Sequence, residues 1–163
     1  RGDDPGRWRA DGAQRMRQGV IARLLPPDPG GAGRSRAAAW FLVLYGVLMA
    51  VPGLIHAFAP DGGIGTIGGV DMSSDFARIR AMAAWAGATQ IAHGLACLAV
   101  GLRYRALVPL FLLIALGERL VLSWSAWIAH TPPGGHHPPA HYGDLVSLPL
   151  LVLFLWLALR RSD

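Results

Sequence analysis

The chain has 163 residues, 53% of them apolar and only 15% charged, against roughly 45–50% apolar for soluble domains, which excludes an ordinary water-soluble globule in favour of a membrane protein. All fifteen basic residues are Arg, eight of them within the first 36 positions, so the net charge of +5 describes a tail rather than a surface. No recognition module accompanies that charge, which excludes nucleic acid as the partner and points to anionic lipid, attracted at about 1 kcal/mol per juxtamembrane Arg.

Residues 1–36 form the basic tail. Met16, Val20 and Leu24 recur every four residues before Pro26 and Pro27 end the pattern, the signature of a short interfacial helix; the competing reading is a flexible, Arg-rich tail. The segment PPDPGGAG, residues 26–33, is a linker under either reading. Because the sequence opens on Arg1, Met16 is a candidate start.

Residues 37–163 form the membrane domain, with four apolar spans at 38–59, 81–102, 107–129 and 144–159, each approaching the ~20 residues that cross a ~30 Å hydrocarbon core. The last reaches only about 24 Å at 1.5 Å per residue and needs Tyr142 and Gly143, or local thinning of the bilayer, to complete the crossing. Ala57-Phe58-Ala59 has the form of a signal-peptidase site, but the apolar run before it is too long for a signal peptide. Cys97, the single cysteine, can form no intrachain disulfide and reads as a buried packing thiol.

Orientation follows from basic residues in short loops. Arg23, Arg34 and Arg36 precede span 1, Arg103 and Arg105 join spans 2 and 3, and Arg160 and Arg161 follow span 4. Those segments are expected in the cytoplasm, with both termini inside and the chain in the inner membrane. Trp and Tyr favour the headgroup levels, and the placing of Trp40 and Trp156 near one surface and Trp85, Trp124, Trp127 and Tyr142 near the other agrees.

Span 2 carries Ala83, Gly87, Gln90, Gly94, Cys97 and Gly101 at steps of four and three, a stripe of small residues that lets a neighbouring backbone approach. By the helical rise, Gln90 and His93 lie within roughly 3 Å of the depth of Glu118 and Arg119 at the centre of span 3. A midplane charge costs about 2.5–3.5 kcal/mol on insertion scales, so such residues face the bundle interior. Adjacent residues point about 100° apart, so at least one of Glu118 and Arg119 needs a partner from another helix. Two readings stay open: a structural knot that sets helix register, or a ligand or proton site in which Glu118 is the acceptor, His93 a relay and Arg119 the counter-ion.

On the opposite side from the Arg-bearing loops, His56, His130, His136, His137, His141 and Asp144 are expected at similar depth. Imidazole with carboxylate suits Zn or Cu. The spacing HHPPAH matches no fixed zinc pattern, and a solvated Pro-rich loop is the competing reading. No GxSxG, HExxH or P-loop motif occurs, which argues against an enzyme.

The Gly-rich segment WAGATQIAHGLACLAVG of span 2, the GERL turn of span 3 and the Gly-rich loop after span 1 resemble those of small four-span bacterial membrane proteins of unknown function, including DoxX-like proteins, across residues 38–160. The resemblance implies a compact membrane bundle and no agreed chemistry. The sequence therefore predicts an all-α integral membrane four-helix bundle, a non-enzymatic accessory or small-ligand or proton-binding protein, with outward metal binding or transport as the alternative. A homo-oligomer or a membrane partner stays open.

Overall fold

The computed structural model describes residues 35–160. Within them the chain is helical, without a strand: α1 (Arg36–Phe58), α2 (Phe76–Arg103), α3 (Val108–Trp124) and α4 (Pro139–Leu159). A 3₁₀ turn (Arg105–Leu107) leads into α3, and a π-helical turn (Ser125–Ala129) prolongs it. The tail with Met16, Val20 and Leu24, and Arg161 at the other end, lie outside the described residues.

The four helical segments are 23, 28, 25 and 21 residues long, taking α3 with its flanking turns, and all are apolar enough to cross a membrane. At 1.5 Å per residue even the shortest reaches about 31 Å, the thickness of a hydrocarbon core. The fourth differs from the expected 144–159. It begins at Pro139, because proline suits the first turn of a helix, where its missing N–H would have no partner. Tyr142 and Gly143 join the span as required, and Asp144 comes with them, inside the bundle.

The small-residue stripe of α2 packs on α1. Ala83, Gly87, Gly94, Cys97 and Gly101 are buried, and they meet a matching stripe on α1 that includes Ala39, Gly46 and Gly53. The register is antiparallel and repeats every seven residues: Ala39 faces Gly101, Gly46 faces Gly94 and Gly53 faces Gly87. The approach is close enough that a methyl group on Gly94 would lie 2.7 Å from the carbonyl oxygen of Gly46, and one on Gly53 2.9 Å from that of Gly87. Only glycine permits this, and the gain is van der Waals contact along the seam.

Helices α3 and α4 form the second pair, and both pack on α1. Leu42, Cys97, Leu112 and Leu151 are fully buried where the pairs meet, and Phe41 stacks on Phe154 with ring centroids 4.1 Å apart. The outer surface is apolar almost throughout: Trp40, Leu48, Trp85, Val121, Ile128 and Val146 are all exposed. Soluble monomers seldom present contiguous apolar surface on this scale.

The helix ends divide into two groups. Arg36, Arg103, Arg105 and Arg160 lie at one end, the arginine end; the 59–75 and 130–138 loops lie at the other, the histidine end. Ser35 caps α1 by accepting from the Ala38 amide at 3.2 Å. The far end of α1 is closed by Arg80, whose guanidinium donates to the carbonyls of His56 (3.3 Å), Ala57 (2.9 Å) and Pro60 (3.2 Å). Those carbonyls have no partner within the helix, and a cation there complements its dipole.

Candidate functional site: a charged layer across four helices

Arg119 is the hub. Its position on α3 turns it inward, where its side chain is 10% exposed, and every nitrogen of the guanidinium is engaged. Nε donates to Tyr45 Oη at 3.0 Å, Nη1 donates to Asp144 Oδ1, and Nη2 donates to Glu118 Oε1 at 3.2 Å and lies 2.9 Å from Met49 Sδ. Tyr45 and Met49 are one helical turn apart on α1, so both sit on the face turned to α3. Tyr45 also places its ring 5.7 Å from the guanidinium carbon, a cation–π distance.

Glu118 points its other oxygen at α2. Oε2 lies 2.9 Å from His93 Nδ1, within ion-pair reach. His93 in turn meets the Tyr45 ring edge-on, with centroids 6.3 Å apart. The sequence His93, Glu118, Arg119, Asp144 is therefore a row of alternating basic and acidic groups that runs through α2, α3 and α4, with α1 supplying Tyr45 and Met49 along its flank.

Three of the four residues expected at mid-depth, His93, Glu118 and Arg119, are brought together. Glu118 and Arg119 also touch each other, since long side chains can bend across the 100° between adjacent positions. Gln90 borders the row without joining it, and its Oε1 is buried without a protein partner. Asp144 is where the expectation differs most. Sequence placed it at the outer surface among metal ligands, whereas it is buried, 12% exposed, against Arg119. Sequence reading did not single out Tyr45 and Met49; Tyr45 could have been found as a polar-tipped aromatic near the centre of span 1.

The histidines do not converge. His56 Nδ1 donates to the Gly62 carbonyl at 2.6 Å, and His130 Nδ1 is 3.3 Å from Ser125 Oγ. His136 Nε2 is 3.2 Å from the Gly68 carbonyl. His137 and His141 face each other with Nδ1 atoms 3.0 Å apart, and His137 stacks on Trp127 at 3.8 Å. Among the described residues no three His, Cys, Asp or Glu side chains are grouped to hold a metal ion. The proposed set His56, His130, His136, His137, His141 and Asp144 is thus dispersed: turn carbonyls and a ring stack take most of the imidazoles, and Arg119 takes the carboxylate.

Two hollows adjoin the layer. One, of about 280 Å³, is bounded by Tyr45, Met49, Gln90, Arg119, Asp144 and Ser147. The second, of about 380 Å³, lies toward the histidine end and is walled by Ile55, Ile64, Ile67, Val70 and Pro138. They share the lining residues Pro52, His56 and Ala140, so they adjoin, the apolar one as the mouth and the one over Arg119, with its polar groups, as the floor. No family model, no curated protein and no solved structure matches the chain, so the functional reading rests on this arrangement.

Proposed function

We propose that the chain is a non-enzymatic, multi-pass protein of the inner membrane, with its arginine end cytoplasmic, and that its mid-depth layer binds one proton. The observation that carries the reading is the charge count of the row. Two carboxylates, Glu118 and Asp144, face one permanent cation, Arg119. With His93 neutral the row carries a net charge of −1; one proton, held by His93 or between His93 and Glu118, brings it to zero. Uncompensated charge at this depth is costly, so the proton is a component of the site rather than an accessory to it.

Asp144 is committed to Arg119, while Glu118 divides its two oxygens between Arg119 and His93, and His93 Nε2 is buried without a hydrogen-bond partner. Those features support exchange at the His93 side of the row and a fixed counter-ion role for Arg119. A purely structural knot needs no such open valence. The same overall plan fits the resemblance to DoxX-like proteins and lipid contact at the arginine end.

Replacing Glu118 by Gln removes one carboxylate and leaves the row neutral without a proton. Potentiometric titration of the purified protein in lipid nanodiscs, with the His93 ring followed by nitrogen NMR, is expected to show one proton fewer bound per chain in Glu118→Gln. Identical titrations of the two proteins would sink the reading. For the topology, a reporter enzyme fused at residue 105 and at residue 135 should be active on opposite sides.

A further inference from the structure

Resting on the one-proton reading of the layer, we propose that the cleft above Arg119 binds an amphipathic organic ammonium, which enters in exchange for that proton.

The lining selects the head group. Each Arg119 nitrogen already faces Tyr45, Asp144, Glu118 or Met49, and its charge is matched by two carboxylates, so an anion would meet net negative charge. What the floor offers is acceptors. Gln90 Oε1 is buried and unpartnered. Asp144 gives Oδ1 to Arg119 and retains Oδ2. Ser147 donates its proton to the Asp144 carbonyl at 2.7 Å and keeps its lone pairs. Such a set fits a group with several N–H donors and a positive charge, and the Tyr45 ring and Met49 sulfur beside it suit a cation.

The mouth selects the rest of the molecule. Ile55, Ile64, Ile67 and Val70 offer an apolar wall that adjoins the floor at Pro52, His56 and Ala140, with His56 held by the Gly62 carbonyl, so the ligand carries an apolar substituent on its nitrogen. Charge then couples the two occupants. The row accommodates one positive charge beyond Arg119, and the ammonium supplies it. The exchange balances: the bound ammonium replaces one proton, which leaves to water, and no bond is made or broken in the ligand.

The test uses full-length protein in phosphatidylcholine nanodiscs, with empty discs subtracted, and compares 4-phenylbutylammonium with the neutral 4-phenylbutanol by calorimetry in two buffers of different ionisation enthalpy. The ammonium is expected to bind at least about tenfold more tightly than the alcohol, with release of one proton and an affinity that rises about tenfold per pH unit while the layer is protonated. Ala140→Phe, which fills the junction of the two hollows, should abolish ammonium binding, with helix content and the Glu118-dependent proton count unchanged. Equal binding of alcohol and ammonium, or undiminished ammonium binding by Ala140→Phe, overturns the cation site. So does the absence of ammonium binding while the Glu118-dependent proton uptake persists, and that result leaves the one-proton reading standing. Ammonium binding without proton release overturns the exchange and the one-proton reading together.

Discussion

Arg119 on α3 and Asp144 on α4 are bound to each other across the bundle, 25 residues apart in sequence and both nearly sealed from solvent. The pair explains why α4 can begin at Pro139 and carry a carboxylate into the bundle interior. It also determines which glutamate contact is left over for His93.

Breaking that pair from one side should be more harmful than removing it whole. Asp144→Leu leaves the buried guanidinium with Glu118 as its single carboxylate, and Arg119→Met strands two carboxylates and is the costlier change; loss of one partner of a buried pair costs about 3–5 kcal/mol. The double variant should recover part of the loss. Thermal unfolding in detergent, followed by circular dichroism, measures all three, and additive losses in the double variant would show that the two residues act independently.

The glycine seam makes a sharply local prediction. Gly46→Val and Gly53→Val press carbon against backbone carbonyls of α2, where nothing flexible can yield, and should destabilise by about 1–3 kcal/mol or more. Gly117 on α3 has open space where its Cβ would stand, so Gly117→Ala should be stabilising by roughly 0.5–1 kcal/mol. Equal melting shifts for Gly46→Val and Gly117→Ala would contradict the seam.

Asp61 organises the loop after α1, accepting from the amides of Gly63 at 2.9 Å and Thr66 at 2.7 Å. The Thr66 amide, followed by that of Gly63, holds its carboxyl down at about 2. A depressed folded value means that the ionised form is the stabilising one. Its contribution is complete above the ordinary carboxylate range near 4 and disappears as pH falls through about 2. Hydrogen exchange of the Gly63 and Thr66 amides should therefore show protection lost over that acidic interval, and Asp61→Ala should remove both the protection and its pH dependence.

Arg80 and Arg78 separate a structural cation from a solvated one. Arg80→Met deprives three carbonyls at the end of α1 of their donor and should cost roughly 1.5–3 kcal/mol, as for bonds to a charged group. Arg78 pairs with Asp75 at 2.9 Å while largely exposed, and Arg78→Met should cost no more than about 1 kcal/mol. Denaturation in parallel checks the ranking; equal losses would refute the cap.

Much of the fold could be read from one dimension. Span number, span order and the α2 seam follow from apolar run length and from small residues at steps of three and four, because a helix in hydrocarbon must satisfy its own backbone and so makes periodicity local. Depth is local too, since it is residue count times rise; that is why Gln90, His93, Glu118 and Arg119 could be placed on one level. The loop histidines were less legible because residues between helices have no such ruler, and His136, for one, is placed against the Gly68 carbonyl of the other loop.

The sequence alone determined four long apolar helices and set Glu118 and Arg119 near the middle of the third. Only the tertiary structure decided which partner each received: His93 for one, Asp144 and Tyr45 for the other. Partner choice depends on helix rotation and neighbour order, which are set by packing between helices, here by glycines that draw α1 onto α2 and leave α3 and α4 to close over the charged row.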